Sequence, residues 1–220
     1  GYKSNYIFYL SYIIISLLII FSWLILPSFV LLIFLIIASY HFGKEDTVFK
    51  LKRNFPLNEI LFFFKGSSVI VAPLLFQRES TNEIFATLNF NVFESLFFND
   101  AILTIFLILS LFSNIYLSKD KVIDLKNIML LDYFSIIILN LFLTPVLAFT
   151  IYFCFLHSIR HSFGLINELD NSFNKGLKKF IMRAIPLTLV TGLIFLISIY
   201  FLNNLYKIDE AIYKVIFIGL

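Results

Sequence analysis

Long apolar stretches separated by short clusters of charge dominate the chain. The first stretch runs from Ser4 to Gly43 without any Asp, Glu, Lys or Arg. One helix of that length would rise about 60 Å, about twice the thickness of the hydrocarbon core of a bilayer. Pro27 interrupts it, because proline lacks an N–H and disfavours helix at the preceding residue. The pattern therefore predicts two membrane spans, near 7–26 and 28–43.

Six further apolar runs resemble membrane spans. They lie near 60–76, 100–117, 128–144, 145–161, 184–202 and 211–220, the last of them incomplete. The uncharged stretch from Tyr133 to Ile159 is ambiguous, because it fits either one long tilted helix or two short helices broken at Thr144-Pro145. Either way, the pattern predicts an all-α protein, a polytopic transmembrane helix bundle of about eight helices.

Lysine and arginine in the loops decide between these alternatives. The segments 44–58, 118–127 and 158–183 contain four, three and five of them, whereas 77–99 contains one and the Thr144-Pro145 corner contains none. Basic residues accumulate on the cytoplasmic side of membranes, and the alternation follows that rule only if the chain turns at Pro145. We therefore expect a multi-pass protein of the inner (plasma) membrane with the three basic segments in the cytoplasm.

Composition supports this class and excludes others. The chain is 60% hydrophobic and contains 29 phenylalanines, whereas a soluble domain is about 45–50% apolar. Its single cysteine, Cys154, allows neither an internal disulfide nor a cluster of thiolate ligands. The net charge of +3 is too small and too scattered to indicate nucleic-acid binding.

The chain is expected to form one integral-membrane domain over 1–220, since it has short loops and no usable internal repeat. It begins at Gly1 rather than at a methionine, and it stops at Leu220 within an apolar run. Both observations suggest a fragment truncated at both ends.

Three histidines, His41, His157 and His161, are the candidate metal ligands. His41 ends the second predicted span and the other two end the sixth, so the predicted topology places all three toward the cytoplasmic side. His157 and His161 are four residues apart, which puts them on one helix face with Cβ atoms about 6 Å apart. Helical metal sites use this spacing.

The depth of these histidines strengthens the hypothesis. Only 14 residues run from Ser28 to His41, about 20 Å of helix against a hydrocarbon core of about 30 Å. An ionisable side chain inside the membrane is a candidate functional group, and metal coordination uses the neutral ring. Histidine is also tolerated at membrane interfaces, so spacing and depth leave a shared metal site and ordinary interface residues equally open. Imidazole-only ligands suit iron, zinc or copper.

Two motifs carry a family resemblance. His41-Phe42-Gly43-Lys44-Glu45-Asp46 resembles an HFGxxD motif, and the stretch 152–161, YFCFLHSIRH, resembles a YFxxxHSxRH motif. Both motifs are typical of the bacteriorhodopsin-related (Brp/Blh) family of integral-membrane β-carotene 15,15′-dioxygenases. The resemblance extends more loosely from about Leu31 to Leu220.

The resemblance implies an activity and a cofactor. Members of the family cleave the central 15,15′ double bond of β-carotene with O2 to give two all-trans-retinal, often for a rhodopsin. The resemblance also implies that His41, His157 and His161 bind a non-haem Fe(2+), together with a fourth histidine that lies in a GxPHGxxD motif. Nothing in this chain matches that motif, and we expect it upstream of the fragment.

Charged residues beside the histidines are candidates for orienting the ligands. Asp46 and Glu45 follow His41 by about one turn and can accept an imidazole N–H, although Glu45 equally fits a solvated loop carboxylate. Arg160 lies within the second motif and fits either a supporting role or a basic membrane anchor. Lys65, the one charge inside the third run, either lines a polar cavity or extends to the interface. No substrate-binding residues stand out among the many phenylalanines.

Two other function classes remain open from the residues alone. His41 with His157 or His161 can also supply the axial ligands of a haem, as in a bis-histidine membrane cytochrome. A non-catalytic transporter or scaffold is the second alternative. The expected partners are β-carotene, O2, the lipid bilayer and a downstream rhodopsin.

Overall fold

The computed structural model describes residues 6–48, 56–87, 99–119 and 126–204, together with 207 and 212. The regular structure in these ranges is entirely helical, which confirms the predicted all-α class. The elements are α1 (Tyr6–Ile25), α2 (Pro27–Val48), α3 (Pro56–Phe76), α4 (Arg78–Thr87), α5 (Asp100–Lys119), α6 (Lys126–Phe142), α7 (Pro145–Ile151), a π-helix (Tyr152–Ser158), α8 (Ile159–Leu169) and α9 (Phe173–Leu202). Because α7, the π-helix and α8 are continuous, the described part contains eight helices.

Five of these helices can cross a membrane by length and composition. They cover Pro27–Thr47, Pro56–Phe76, Asp100–Ser118, Pro145–Leu169 and Phe173–Leu202. Their outward side chains are large and apolar, whereas the buried interior contains serines and asparagines such as Ser67, Ser110 and Asn114. An apolar exterior around a partly polar interior is the arrangement expected in lipid. The chain is therefore a multi-pass membrane protein.

The predicted break at Pro145 is confirmed. Helix α6 ends at Phe142, Thr144 is extended with φ −61° and ψ 153°, and α7 begins at Pro145. The guanidinium of Arg160 contacts Asp132, near the start of α6, so the chain reverses direction between the two elements. This reversal rules out one long helix. The other predicted break also has a counterpart, since α1 and α2 are separated by one residue before Pro27.

Three helices differ from the predicted spans. Helix α4 lies in the segment 77–99 that the sequence placed in a loop, where it buries the side chains of Thr81, Ile84 and Phe85. Helix α8 continues to Leu169, beyond the predicted end at 161, and α9 begins at Phe173, before the predicted start at 184. The length of an apolar run is related to the thickness of the hydrocarbon core, whereas a helix can continue beyond that core. The predicted last span, 211–220, lies outside the described residues except for Ile212.

A tight turn joins α8 to α9. The ammonium of Lys179 donates a hydrogen bond of 2.7 Å to the carboxylate of Asp170, and this bond lowers the pKa of that carboxyl. A Cβ at Gly176 would lie 2.3 Å from the carbonyl oxygen of Ile166, so the two helices cross at that glycine.

Helices α2 and α3 cross at two glycines. A Cβ at Gly43 would lie 1.8 Å from the carbonyl oxygen of Phe62, and a Cβ at Gly66 would lie 1.9 Å from that of Ser39. Only glycine permits backbones to approach so closely, as in small-residue crossings of membrane helices. Because Gly43 follows His41 by two residues, this crossing sets the position of the first candidate ligand.

Candidate metal centre

The fold brings the three predicted ligands together from two helices. His41 lies on α2, whereas His157 and His161 lie on the continuous helix formed by the π-helix and α8. The ring centroids of His41 and His157 are 5.8 Å apart, and those of His157 and His161 are 6.5 Å apart. The ring of His157 is the most enclosed, since this residue is 6% exposed, whereas His41 lies at the exposed edge of the cluster. The sequence identified these three residues, and the structure makes them neighbours.

The π-helix that contains His157 was not predicted. Its hydrogen bonds span five residues, as in the bond from Ile159 N to Cys154 O. A π-helix has about 4.4 residues per turn, so residues five apart share a face, whereas in an α-helix they diverge by about 140°. Tyr152 and His157 are five residues apart and therefore face the same neighbour, α2.

That shared neighbour is the carboxylate of Asp46. The hydroxyl of Tyr152 donates to Oδ2 over 2.9 Å, and Oδ1 lies 3.0 Å from Nδ1 of His157. Because a carboxylate only accepts, His157 carries its proton on Nδ1 and keeps Nε2 free to bind a metal. Asp46 thus lies where the sequence suggested, beside a predicted ligand.

Glu45 has a corresponding place beside the third histidine. Its Oε2 lies 3.4 Å from Nδ1 of His161, and both side chains are partly exposed. The longer distance and greater exposure predict a weaker orienting effect than that of Asp46.

Arg160 contacts a carboxylate on another helix. Its guanidinium donates two hydrogen bonds, of 2.6 and 2.8 Å, to Asp132 of α6. Within the part of the chain that the structure describes, its hydrogen bonds go to Asp132 and not to a histidine ring. The pair joins α6 to α8, the helix of His161. Asp132 was not among the predicted site residues, although a carboxylate alone in the apolar run 128–144 is a detectable signal.

Lys65 lines a polar cavity, which is one of the two alternatives open from the sequence. It is 6% exposed, and its ammonium donates a 2.7 Å hydrogen bond to the hydroxyl of Thr47. A cavity of about 10 Å³, the size of one water molecule, separates it from Asp46 and Asp132. Carboxylates and cations therefore balance one another inside the bundle, which makes their burial there tolerable.

The donor types present fit a metal, but the three imidazole rings would have to approach one another to bind it. As the side chains stand, the described residues include no group of three His, Cys, Asp or Glu close enough to hold an ion. Two imidazoles bound to one metal at about 2.1 Å place their ring centroids about 4.5–5.5 Å apart. The separations of 5.8 and 6.5 Å both exceed that range, so the rings would have to move closer and His157 and His161 would have to leave their parallel orientation. Carboxylates already face two Nδ1 atoms, as in natural metal sites.

Comparisons with known proteins agree with the two motifs. Residues 2–220 match the family model described as beta-carotene 15,15′-dioxygenase. The beta-carotene 15,15′-dioxygenase of the uncultured marine bacterium 66A03 is 30% identical over 200 residues, which cover 90% of this chain and 69% of the relative. No solved structure matches the chain significantly.

Proposed function

Because the chain belongs to the beta-carotene 15,15′-dioxygenase family, we propose that it is a membrane oxygenase that cleaves β-carotene with O2. The bond cleaved is the central 15,15′ double bond, and the products are two molecules of all-trans-retinal, which supply a rhodopsin. The observation that carries the proposal is the cluster of His41, His157 and His161, with a carboxylate facing Nδ1 of two of these rings.

The proposed cofactor is a non-haem Fe(2+) held by these three histidines. Bound there, iron would supply the redox chemistry that the reaction of O2 with a carbon–carbon double bond requires. The protein's own contribution is to present neutral imidazoles. Asp46 holds the proton of His157 on Nδ1, and Glu45 can do the same for His161, which leaves Nε2 of each ring as the nitrogen available to a metal.

The surroundings of the cluster suit an apolar substrate. β-Carotene dissolves in the hydrocarbon layer, and the histidines lie within helices long and apolar enough to cross that layer. The rings of Phe42 and Phe153 lie 5.1 and 5.5 Å from that of His157, the first edge-on and the second stacked. Apolar rings beside the cluster would favour contact with a polyene over contact with water and would help to orient its central bond.

Expression of the full-length protein in bacterial cells that make β-carotene tests the proposal. We expect the orange colour to fade while retinal accumulates, measured by chromatography of cell extracts. His41→Ala and His161→Ala should each reduce retinal formation at least about 100-fold, since each removes a proposed ligand. Asn171→Ala, in the exposed turn before α9, is the control and should leave the product unchanged. Retinal formation that survives either histidine change would refute the ligand assignment.

The absorption spectrum separates this proposal from the haem alternative. Purified protein should contain iron without an intense Soret band, because imidazole-bound iron lacks a porphyrin. A Soret band that disappears in His157→Ala would instead support a bis-histidine cytochrome. If the cells lose no carotene and the purified protein contains no metal, the non-catalytic transporter or scaffold would be favoured.

A further inference from the structure

We infer that Tyr152 is a positioning residue, which sets the orientation of the His157 ring through the carboxylate of Asp46. The inference rests on the proposed metal site and identifies a residue that supports it. Among the residues that the structure describes, the hydroxyl of Tyr152 bonds to Asp46 and not to a histidine, so its effect would pass through Asp46.

The carboxylate of Asp46 is divided between two partners. Oδ2 accepts the Tyr152 hydroxyl at 2.9 Å and Oδ1 faces Nδ1 of His157 at 3.0 Å. A carboxylate with one hydrogen-bond partner can rotate about its Cβ–Cγ bond, and this rotation changes the angle between the carboxylate plane and the imidazole ring. A second donor on the other oxygen restricts that rotation. Asp46 is 7% exposed and Tyr152 is 3% exposed, so bulk water cannot readily replace the tyrosine.

The π-helix allows Tyr152 and His157 to contact the same carboxylate. Tyr152 and His157 are its first and sixth residues, and the five-residue turn points both toward the same carboxylate. Without the wider turn, the tyrosine would point about 140° away from the histidine. The local departure from α-helix therefore assembles a chain of hydrogen bonds from Tyr152 through Asp46 to His157.

The ring of Tyr152 is held independently of its hydroxyl. Phe42 packs edge-on against Tyr152, at a centroid distance of 5.7 Å and an interplanar angle of 85°, and edge-on against His157, at 5.1 Å and 87°. Tyr152→Phe should therefore remove the hydroxyl while the ring stays in place. The substitution isolates the hydrogen bond from the packing.

A matched control is available in the same bundle. Tyr133 is also buried, lines the same small cavity and donates its hydroxyl to a backbone oxygen, that of Leu107, at 3.0 Å. Its bond joins α6 to α5 and does not involve Asp46 or a histidine. Tyr133→Phe thus removes one buried tyrosine hydrogen bond of similar length without touching the proposed chain.

The test is a titration of metal-free, full-length protein in detergent with Co(2+), whose visible spectrum reports ligand geometry. Tyr152→Phe should weaken Co(2+) binding by about tenfold and shift the visible bands. Tyr133→Phe should leave the affinity and the bands as in the wild type, even if it lowers the thermal stability. Retinal formation by the same variants, measured in β-carotene-producing cells, should follow the order of their metal affinities.

Three outcomes would overturn the inference. Wild-type affinity and spectrum in Tyr152→Phe would show that the hydroxyl does not orient His157, although the metal site would still stand. Equal losses in both tyrosine variants would show a general effect of packing. If instead the wild type binds no Co(2+), or His157→Ala does not weaken its binding, the proposed metal site fails and this inference fails with it.

Discussion

At the scale of single residues, Asp46 is the side chain on which most of the site depends. It is buried inside the helix bundle, yet both of its oxygens have a protein partner, Tyr152 and His157. A buried carboxylate with satisfied oxygens is stable in place, and it fixes which nitrogen of the histidine carries the proton. The two motifs contain both Asp46 and Tyr152, but nothing in the sequence pairs them, because only the π-helical turn brings the tyrosine to the carboxylate.

Asp46→Asn should weaken metal binding by about 10–100-fold. The amide presents one acceptor and one donor to two partners that both donate, so one of the two hydrogen bonds is lost. The same Co(2+) titration measures the effect. Asp170→Asn, in the turn before α9, is the matched control and should bind Co(2+) as the wild type does. An unchanged affinity in Asp46→Asn would contradict the orienting role of the carboxylate.

At the scale of the elements, the crossing of α2 and α3 determines where His41 lies. The sequence predicted both helices from their apolar runs, but it gave no indication that Gly43 and Gly66 face each other. That pairing depends on the rotation and the register of two helices from separate parts of the chain. Backbone contact at these glycines is what fixes the rotation, since side chains elsewhere in the crossing can adjust.

Gly43→Ala should destabilise the protein by about 1–3 kcal/mol, the usual range for overpacking a tight contact. The new Cβ would lie 1.8 Å from the carbonyl oxygen of Phe62, so the helices must separate and displace His41. Thermal unfolding in detergent and retinal formation should therefore both decline.

Gly192→Ala provides the control for that experiment. A Cβ at Gly192 has no neighbour within 4 Å, so this change should be neutral or slightly stabilising, because alanine favours helix by up to about 1 kcal/mol. If Gly43→Ala unfolds at the same temperature as Gly192→Ala, the close contact does not limit the stability of the bundle.

At the scale of the whole molecule, the orientation in the membrane remains a prediction from the loop charges. Exposed residues beyond the two ends of a membrane-spanning helix can test this orientation. Helix α3 is such a helix, and α4 follows its C-terminal end. Asn171, between α8 and α9, and Glu83, on α4, are both exposed and lie in segments predicted to face opposite sides.

Cysteines at these two positions should differ in their access from outside the cell. In a Cys154→Ser background, a membrane-impermeant maleimide should label Glu83→Cys in intact cells. It should label Asn171→Cys only after the membrane is permeabilised. The opposite pattern would place the histidine cluster toward the outside and contradict the predicted topology. Labelling of both variants in denatured protein controls for the intrinsic reactivity of each cysteine.

The sequence alone determined the class of the protein and the turn at Pro145, and it singled out the three histidines as candidate ligands. These follow from constraints along the chain: hydrocarbon thickness sets the length of a span, proline interrupts a helix, and basic loops alternate between sides. The tertiary structure decided which side chains meet. The pairing of Asp46 with Tyr152 and His157, the ion pair of Arg160 with Asp132, and the glycine crossing all depend on helix rotation, register and one π-helical turn, for which the hydrophobic pattern contains no signal.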